Sequence, residues 1–273
     1  MRFVTALALA LAGVALAPPR KPIGKFTEPA IREASGIVKS RRHPGVYWTH
    51  NDSGNPPALF AVKGDGTLIR AYRIQAPNVD WEDIAADDHG HLFLGDIGNN
   101  DKRLPLRAIY RIDEPDPAKP AEKPLPFTLV TFYRFANGQR FDAEGFYLEK
   151  KRAILVAKQF ERRDAELFAV PLDPPAPLFR PAVPERVGTL PGFIEPATGA
   201  SLAPDGQMLA VCSTEVVRVY ERSKDLAWTL IGTVRYKAEE IEAVCWDGKD
   251  LILASEARDI YRITERTWRR SER

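Results

Sequence analysis

Short alternations of apolar and polar residues, about four to seven long and closed by Gly, Pro, Asn or Asp, recur along almost the whole chain, and helical periodicity is scarce. The alternation belongs to a larger repeat. Five stretches share one layout, in which an apolar strand leads through a short irregular link into a strand carrying an acidic or Thr residue. They are 23–37 (IGKFTEPAIREASGI), 69–85 (IRAYRIQAPNVDWEDIA), 130–146 (VTFYRFANGQRFDAEGF), 186–202 (RVGTLPGFIEPATGASL) and 231–246 (IGTVRYKAEEIEAVCW). Aligning them on the acid makes Glu33, Glu82, Glu144, Thr198 and Glu242 equivalent.

Each stretch is followed by a second strand (VYWTH, HLFLGD, AILVAK, MLAVCS, LILASE) and a third (ALFAV, AIYRI, ELFAV, VVRVY, DIYRI). Turn signals separate them, such as GDG at 64–66, PDG at 204–206 and DGKD at 247–250. Four short antiparallel strands repeated radially describe an all-β fold, a single β-propeller of five four-stranded blades, with a sixth blade as the alternative. The last unit lacks an outer strand. IGKF at 23–26 is expected to supply it and close the ring, with RTWRR near the C-terminus as the rival. The Pro-rich stretches 113–127 and 171–184 then become long loops between the third and fourth strands of blades two and three.

That topology dictates where the acids go. Neighbouring strands run antiparallel, so the start of a first strand and the end of a second strand meet at the same end of a blade. The innermost strands line the axis, so Glu33, Glu82, Glu144, Thr198 and Glu242 are expected to ring one mouth of a central channel. Asp80, Asp142 and Glu240, two residues earlier, share their strand face. Second-strand ends add His50, Asn51 and Asp52; Asp96; Lys158; Ser213 and Thr214; and Ser255 and Glu256. Trp81, on the opposite face from Glu82, is expected between blades.

Carboxylates gathered this closely raise one another's pKa. Relief comes from a bound cation, from Lys158 or an Arg as counter-ion, or from hydrogen bonds to the adjacent blade. Oxygen donors suit a hard divalent cation, calcium foremost. No His/Cys cluster has ligand spacing for a soft metal, and the chain contains no G-x-S-x-G elbow, H-E-x-x-H helix or P-loop.

Composition adds limits. With 273 residues, 39 Lys plus Arg and 37 Asp plus Glu, the chain suits one large domain and has no basic excess for nucleic acid. Residues 1–17 have one early cation, an apolar run and small residues at the end, which reads as a signal peptide. The propeller then occupies 18–273, periplasmic or secreted, with no membrane span once the leader is removed, and is expected to be monomeric. Cys212 and Cys245 lie in apolar runs and are open to either a disulfide or buried thiols.

EASG (33–36), HNDSG (50–54), DWEDIA (80–85), GDIGNN (95–100) and ATGASLAPDG (197–206) together resemble a group of exported bacterial β-propellers. More distantly the chain is similar to phytase-like esterase and regucalcin/gluconolactonase propellers. That resemblance implies a divalent cation, often calcium, at the channel mouth, with Glu33, Asn51, Glu82, Asp96, Glu144 and Glu242 at the matching positions. This chain departs from the pattern in Asn100, in Thr198 and in having five blades where those relatives have six.

Two functions follow as expectations. One is a metal-dependent hydrolase of a small ester, lactone or phosphoester, with Glu82, Asp80 or Glu144 as the catalytic base. His50, Asp52, Lys158, Thr198 and Glu256 would then contact the substrate. The other is a non-catalytic propeller that binds a small ligand or a protein in the cell envelope, its acids holding blades or a structural ion.

Overall fold

A computed structural model describes residues 21–236 and 240–269; the leader at 1–17 lies outside the described residues. After a two-residue strand β1 (Gly24–Lys25), the chain makes β2 (Ala34–Lys39), β3 (Val46–Asn51), β4 (Ala58–Lys63) and β5 (Leu68–Arg73) as blade one. Blade two is β6 (Trp81–Ala86), β7 (His91–Asp96), β8 (Arg107–Asp113) and β9 (Leu129–Tyr133). Blade three is β10 (Ala143–Glu149), β11 (Arg152–Ala157), β12 (Ala165–Pro171) and β13 (Glu185–Leu190). Blade four is β14 (Gly199–Leu202), β15 (Met208–Cys212), β16 (Val216–Arg222) and β17 (Trp228–Arg235). Blade five is β18 (Ile241–Asp247), β19 (Asp250–Ser255) and β20 (Asp259–Ile263), completed by β1. The fold is a five-bladed β-propeller.

The ring closes through the N-terminal strand. Gly24 pairs with Ile260 and Lys25 with Asp259, while Ile23 N donates to Ile260 O (2.8 Å) and Phe26 N to Arg258 O (2.9 Å). The other edge of the strand is held by blade one, where Lys25 N donates to Asp65 O at 3.1 Å and Thr27 N to Gly66 O at 3.0 Å. The rival segment is the short helix α1 (Glu265–Trp268), which sends Trp268 into the core between blades four and five. Gly24 has no room for a side chain, since a Cβ would lie 2.1 Å from Asp65 O. Gly24→Ala is therefore expected to cost about 1–3 kcal/mol through forced displacement of the closing strand. Lys25→Ala, at an exposed ion pair, should cost almost nothing; thermal melting of the two variants checks this.

Five apolar cores lie between adjacent blades, which explains why strands buried on both faces read as near-continuous apolar runs. Trp81 sits with Trp48, Tyr72, Leu94 and Tyr110 in the core between blades one and two. Cys212 and Cys245 are free thiols buried in two different cores. The two Pro-rich loops cover outer edges that would otherwise expose unpaired backbone. Leu125 exchanges hydrogen bonds with Arg73 O (2.8 Å) and Gln75 N (2.9 Å) beside β5. Ala182 N donates to Phe132 O (2.8 Å), and Ala182 O accepts from Arg134 N (2.9 Å), beside β9. Among the described residues no helix is long and apolar enough to cross a membrane.

The innermost strands touch at one level. The residue just after the first-strand irregularity is Gly36, Asp83, Gly145 or Ala243 in blades one, two, three and five, and blade four, which has no irregularity, begins its inner strand with Gly199. A Cβ on Gly36 would meet Ile84 N at 2.9 Å, one on Gly145 would meet Ala200 N at 2.9 Å, and one on Gly199 would meet Glu242 O at 2.7 Å. Five strands converging this tightly leave room for only one larger side chain, and Asp83 takes it. Its Oδ2 accepts from Phe146 N (3.0 Å) in blade three and Ala200 N (3.1 Å) in blade four, and its Oδ1 from Ile84 N (2.8 Å). Two cavities on opposite sides of this level share no lining residue.

Candidate metal centre at the acidic mouth

Blades one, two, three and five each carry a bulge at the start of the inner strand. There Ser35, Glu82, Glu144 and Glu242 are the extra residues. Blade four has Thr198 immediately before β14. This register corrects the alignment made on acids alone: Ser35, two residues on, is the counterpart of Glu82, while Glu33 matches Asp80, Asp142 and Glu240. The strand pairing on either side of the bulge, rather than the acid, fixes the register.

The bulge side chains divide by chemistry. The hydroxyls tie blades together: Ser35 Oγ donates to Glu82 O (2.8 Å) and Thr198 Oγ1 to Ile241 O (2.8 Å). The carboxylates turn to the axis. Glu33, Asp52, Glu82, Glu144, Lys158, Glu242 and Glu256 line a cavity of about 110 Å3, with Ala34, Ser35 and Asn100. Asp52, Asp80 and Glu82 each bring a carboxylate oxygen within 4.8 Å of the other two.

Not every sequence-predicted residue reaches this cavity. His50 is buried with its ring edge-on to Trp81 (5.6 Å) and Nδ1 3.0 Å from Asn51 O. Burial pushes its pKa down to about 4, so the ring is neutral. Asn51 is occupied at both ends, accepting from Arg32 N (2.9 Å) and donating to Ala30 O (2.7 Å). Asp96 is buried one layer back, accepting from Asp80 N at 2.6 Å. Thr198 is spent on blade five. These four position the strands that carry the site.

Burial dominates the electrostatics, and neighbouring acids add to it. Asp52 is pushed up to about 6, with Asp80 and Glu33 contributing. Glu82 is raised well above the usual range by burial, then by Glu144, Asp52 and Asp80. Glu242 reaches about 8 through burial, Glu144 and Glu256. Glu144 is raised to about 7 by burial even though Lys158 beside it pulls the other way. Lys158 donates to Glu144 and, at 3.3 Å, to Asn100 Oδ1. Burial opposes its charge, but Glu144 outweighs that and its pKa is raised. Among the described residues one lysine thus faces seven carboxyl groups.

The residues fit a hard cation. All donors of the triad are oxygens, as magnesium- and calcium-like ions require. Glu82 Oε1 is buried without a hydrogen-bond partner, a costly state for a carboxylate oxygen unless something binds it. Gly98 keeps the space open: a Cβ there would lie 2.1 Å from Glu82 Oε1 and 2.5 Å from Asp80 Oδ2. Its amide and that of Ile97 both donate to Asp80 O at 3.1 Å, which fixes the strand under the triad. Ser35, Gly98 and Asp83 were not singled out by sequence reasoning, and Asn100 stood out only as a departure from the pattern of the propellers the chain resembles. The glycine register and the GDIGNN turn carried the signal for them.

No protein family's sequence profile matches the chain, and no curated protein matches it. Solved structures similar to it include Kuenenia stuttgartiensis hydrazine synthase, with 11% identity, 86% of this chain and 72% of that one covered, and a TM-score of 0.47. Another is a catalytically inactive virginiamycin B lyase from Staphylococcus aureus with quinupristin, with 14% identity, 85% and 66% covered, and a TM-score of 0.41. Overlaps this loose say nothing about chemistry, and the propeller assignment rests on the five sheets themselves.

Proposed function

We propose that this is an exported, calcium-binding propeller that hydrolyses a small ester, lactone or phosphoester at the acidic mouth. The observation that carries the reading is the convergence of Asp52, Asp80 and Glu82 around the unpartnered buried oxygen Glu82 Oε1. Its resemblance to exported bacterial propellers and the leader-like residues 1–17 support export.

Asp52, Asp80 and Glu82 would hold the cation; Glu33 and Glu242 stand on the same cavity wall. When bound, such an ion polarises a carbonyl or phosphoryl oxygen and acidifies a water. The protein's own groups do the rest. Glu144, outside the triad and raised to about 7, is suited to take a proton near neutral pH. Lys158 orients it and offers a positive charge to an anionic part of the substrate. The cavity of about 110 Å3 admits one functional group rather than a whole drug-sized molecule, so the rest of the substrate would lie outside.

Calorimetric titration with calcium tests the site. Glu82→Gln is expected to reduce affinity roughly 100-fold while the protein stays folded, as loss of one charged ligand at a small site implies; calcium binding undiminished in that variant would remove the triad from the account. Glu144→Gln tests catalysis. It should abolish hydrolysis of whichever screened ester, lactone or phosphoester is turned over, with calcium affinity changed only slightly. One observation favours a second reading, a non-catalytic propeller with a structural ion: Ser35, Thr198 and Asp83 make blade-to-blade bonds around the same mouth. Under that reading Glu82→Gln lowers the melting temperature and no screened substrate is turned over.

A further inference from the structure

The opposite mouth of the axis holds a cavity of about 670 Å3, six times the volume at the acidic end and within the range of small-molecule sites. Its floor is apolar, formed by Phe93, Leu129, Leu148, Leu172 and Leu202, where the cores between blades two, three and four reach the surface. Its rim carries five acids (Asp87, Asp88, Glu149, Asp173 and Asp205) and five Lys or Arg residues, and the acids are engaged: His91 Nδ1 lies 2.8 Å from Asp87 Oδ2. Asp88 is taken by Arg41, Asp173 by Lys151 and Glu149 by Arg222, and Asp205 caps its own turn through Gln207 N at 2.9 Å.

Two cations are left over. Among the described residues Lys150 has no carboxylate within ion-pair distance, and Arg111 donates from its side chain only through Nε, to Thr128 Oγ1 at 3.2 Å.

Lys150 carries a second, independent signal. It is the first residue of the two-residue turn between the paired Glu149 and Arg152, and its φ is 56°. The matching turn of blade five, between Asp247 and Asp250, has Gly248 there with φ 64°. Glycine takes this left-handed conformation without strain, and a lysine does not. A strained residue kept where its sister blade uses glycine points to a use for the side chain.

We propose that this mouth binds an amphipathic organic anion, its hydrocarbon part on the Leu/Phe floor and its acid group between Lys150 and Arg111. An apolar floor alone accepts any oily molecule, and two cations without a carboxylate partner select among them. The site stands apart from the acidic mouth, so calcium and Glu82→Gln should leave it unchanged.

Calorimetry with decanoate, decanol and decyltrimethylammonium tests the assignment, each run in chelator and again in calcium. Decanoate should bind one to one, with the alcohol and the cation roughly tenfold weaker or worse, the difference one charge-assisted hydrogen bond makes. Lys150→Gly should lose roughly tenfold in decanoate affinity and melt no lower than the parent, because the turn is relieved of strain. Lys150→Glu should lose more. The proposal is overturned if decanoate does not bind, if decyltrimethylammonium binds as tightly, or if Lys150→Gly keeps the parent affinity.

Discussion

In the presence of a chelator the protein is expected to melt at progressively lower temperature as pH rises from about 5 to about 8, and saturating calcium is expected to cancel most of that fall. The cause is the set of carboxyl groups whose folded pKa stands above the unfolded one: Asp52 at about 6, Asp96, Glu144 and Glu256 at about 7, and Glu242 at about 8. Burial is the first cause in each. A raised acid contributes stability that is complete below its ordinary pKa and is lost as pH climbs through its folded value. Here that window runs from about 4 to about 8.

His50, held near 4 by burial, works the other way up to its ordinary value near 6.5, one group against five. Asp87, Asp247 and Glu195 have depressed pKa values, and their contribution is already complete by pH 5. The acids are partly solvated and interact with one another, so the net loss is on the order of 2–4 kcal/mol rather than the sum of the individual shifts. That corresponds to roughly 5–12 °C for a domain of this size.

A divalent ion reverses the sign, because it binds the ionised forms and expels their protons. Calcium should therefore stabilise strongly at pH 8 and weakly at pH 5, by about 2.7 kcal/mol when its concentration is 100 times the dissociation constant. Calcium added to a weakly buffered solution near pH 6.5 should release protons. Differential scanning calorimetry across pH, with and without calcium, reads all of this; a melting temperature flat from pH 5 to 8 and indifferent to calcium would refute the metal centre.

The repeat was the legible part of the chain. Period-two alternation, turn residues and five recurrences place the blades, the closing strand at 23–26 and the two long loops, because strand polarity and loop length are local properties. The site was legible only to the level of one channel mouth. Aligning on acids set Glu33 against Glu82, whereas the bulge register sets Ser35 there; a one-residue insertion in a strand has no signature in alternation alone. Residue type also misled at Asn51, His50, Asp96 and Thr198. The polar atoms of Asn51, Asp96 and Thr198 are taken by backbone partners distant in sequence, such as Ala30 O for Asn51 and Ile241 O for Thr198, while His50 is buried edge-on against Trp81, and a linear pattern does not reveal such neighbours. The converse holds for Gly98, whose missing side chain is what lets Glu82 and Asp80 approach the backbone.

Asp83→Ala is expected to be the most damaging single change to the fold, costing about 3–5 kcal/mol and roughly 10 °C or more in melting temperature. Asp83 is fully buried, and it is the one side chain that spans the narrow level of the axis. Its two oxygens accept from three backbone amides, one in its own strand, one in blade three and one in blade four. Alanine leaves all three amides without that acceptor in a place where four of the five inner strands present only Gly or Ala, and it opens a small void as well. Asp83→Asn is the informative partner. Burial holds the Asp83 carboxyl well above the ordinary range in spite of the three amides, so an uncharged amide is a near mimic. One of its two polar ends still accepts, and the expected cost is about 1–2 kcal/mol. Asp83→Val, similar in size but without an acceptor, should fall with alanine. If valine instead restores the parent stability, Asp83 only fills space, and the blades are held together by their inter-blade cores alone. If alanine and valine both fail while asparagine survives, the third acid of DWEDIA is an architectural tie across the propeller axis, and Asp80 and Glu82, on the mouth side of it, are left for the cation.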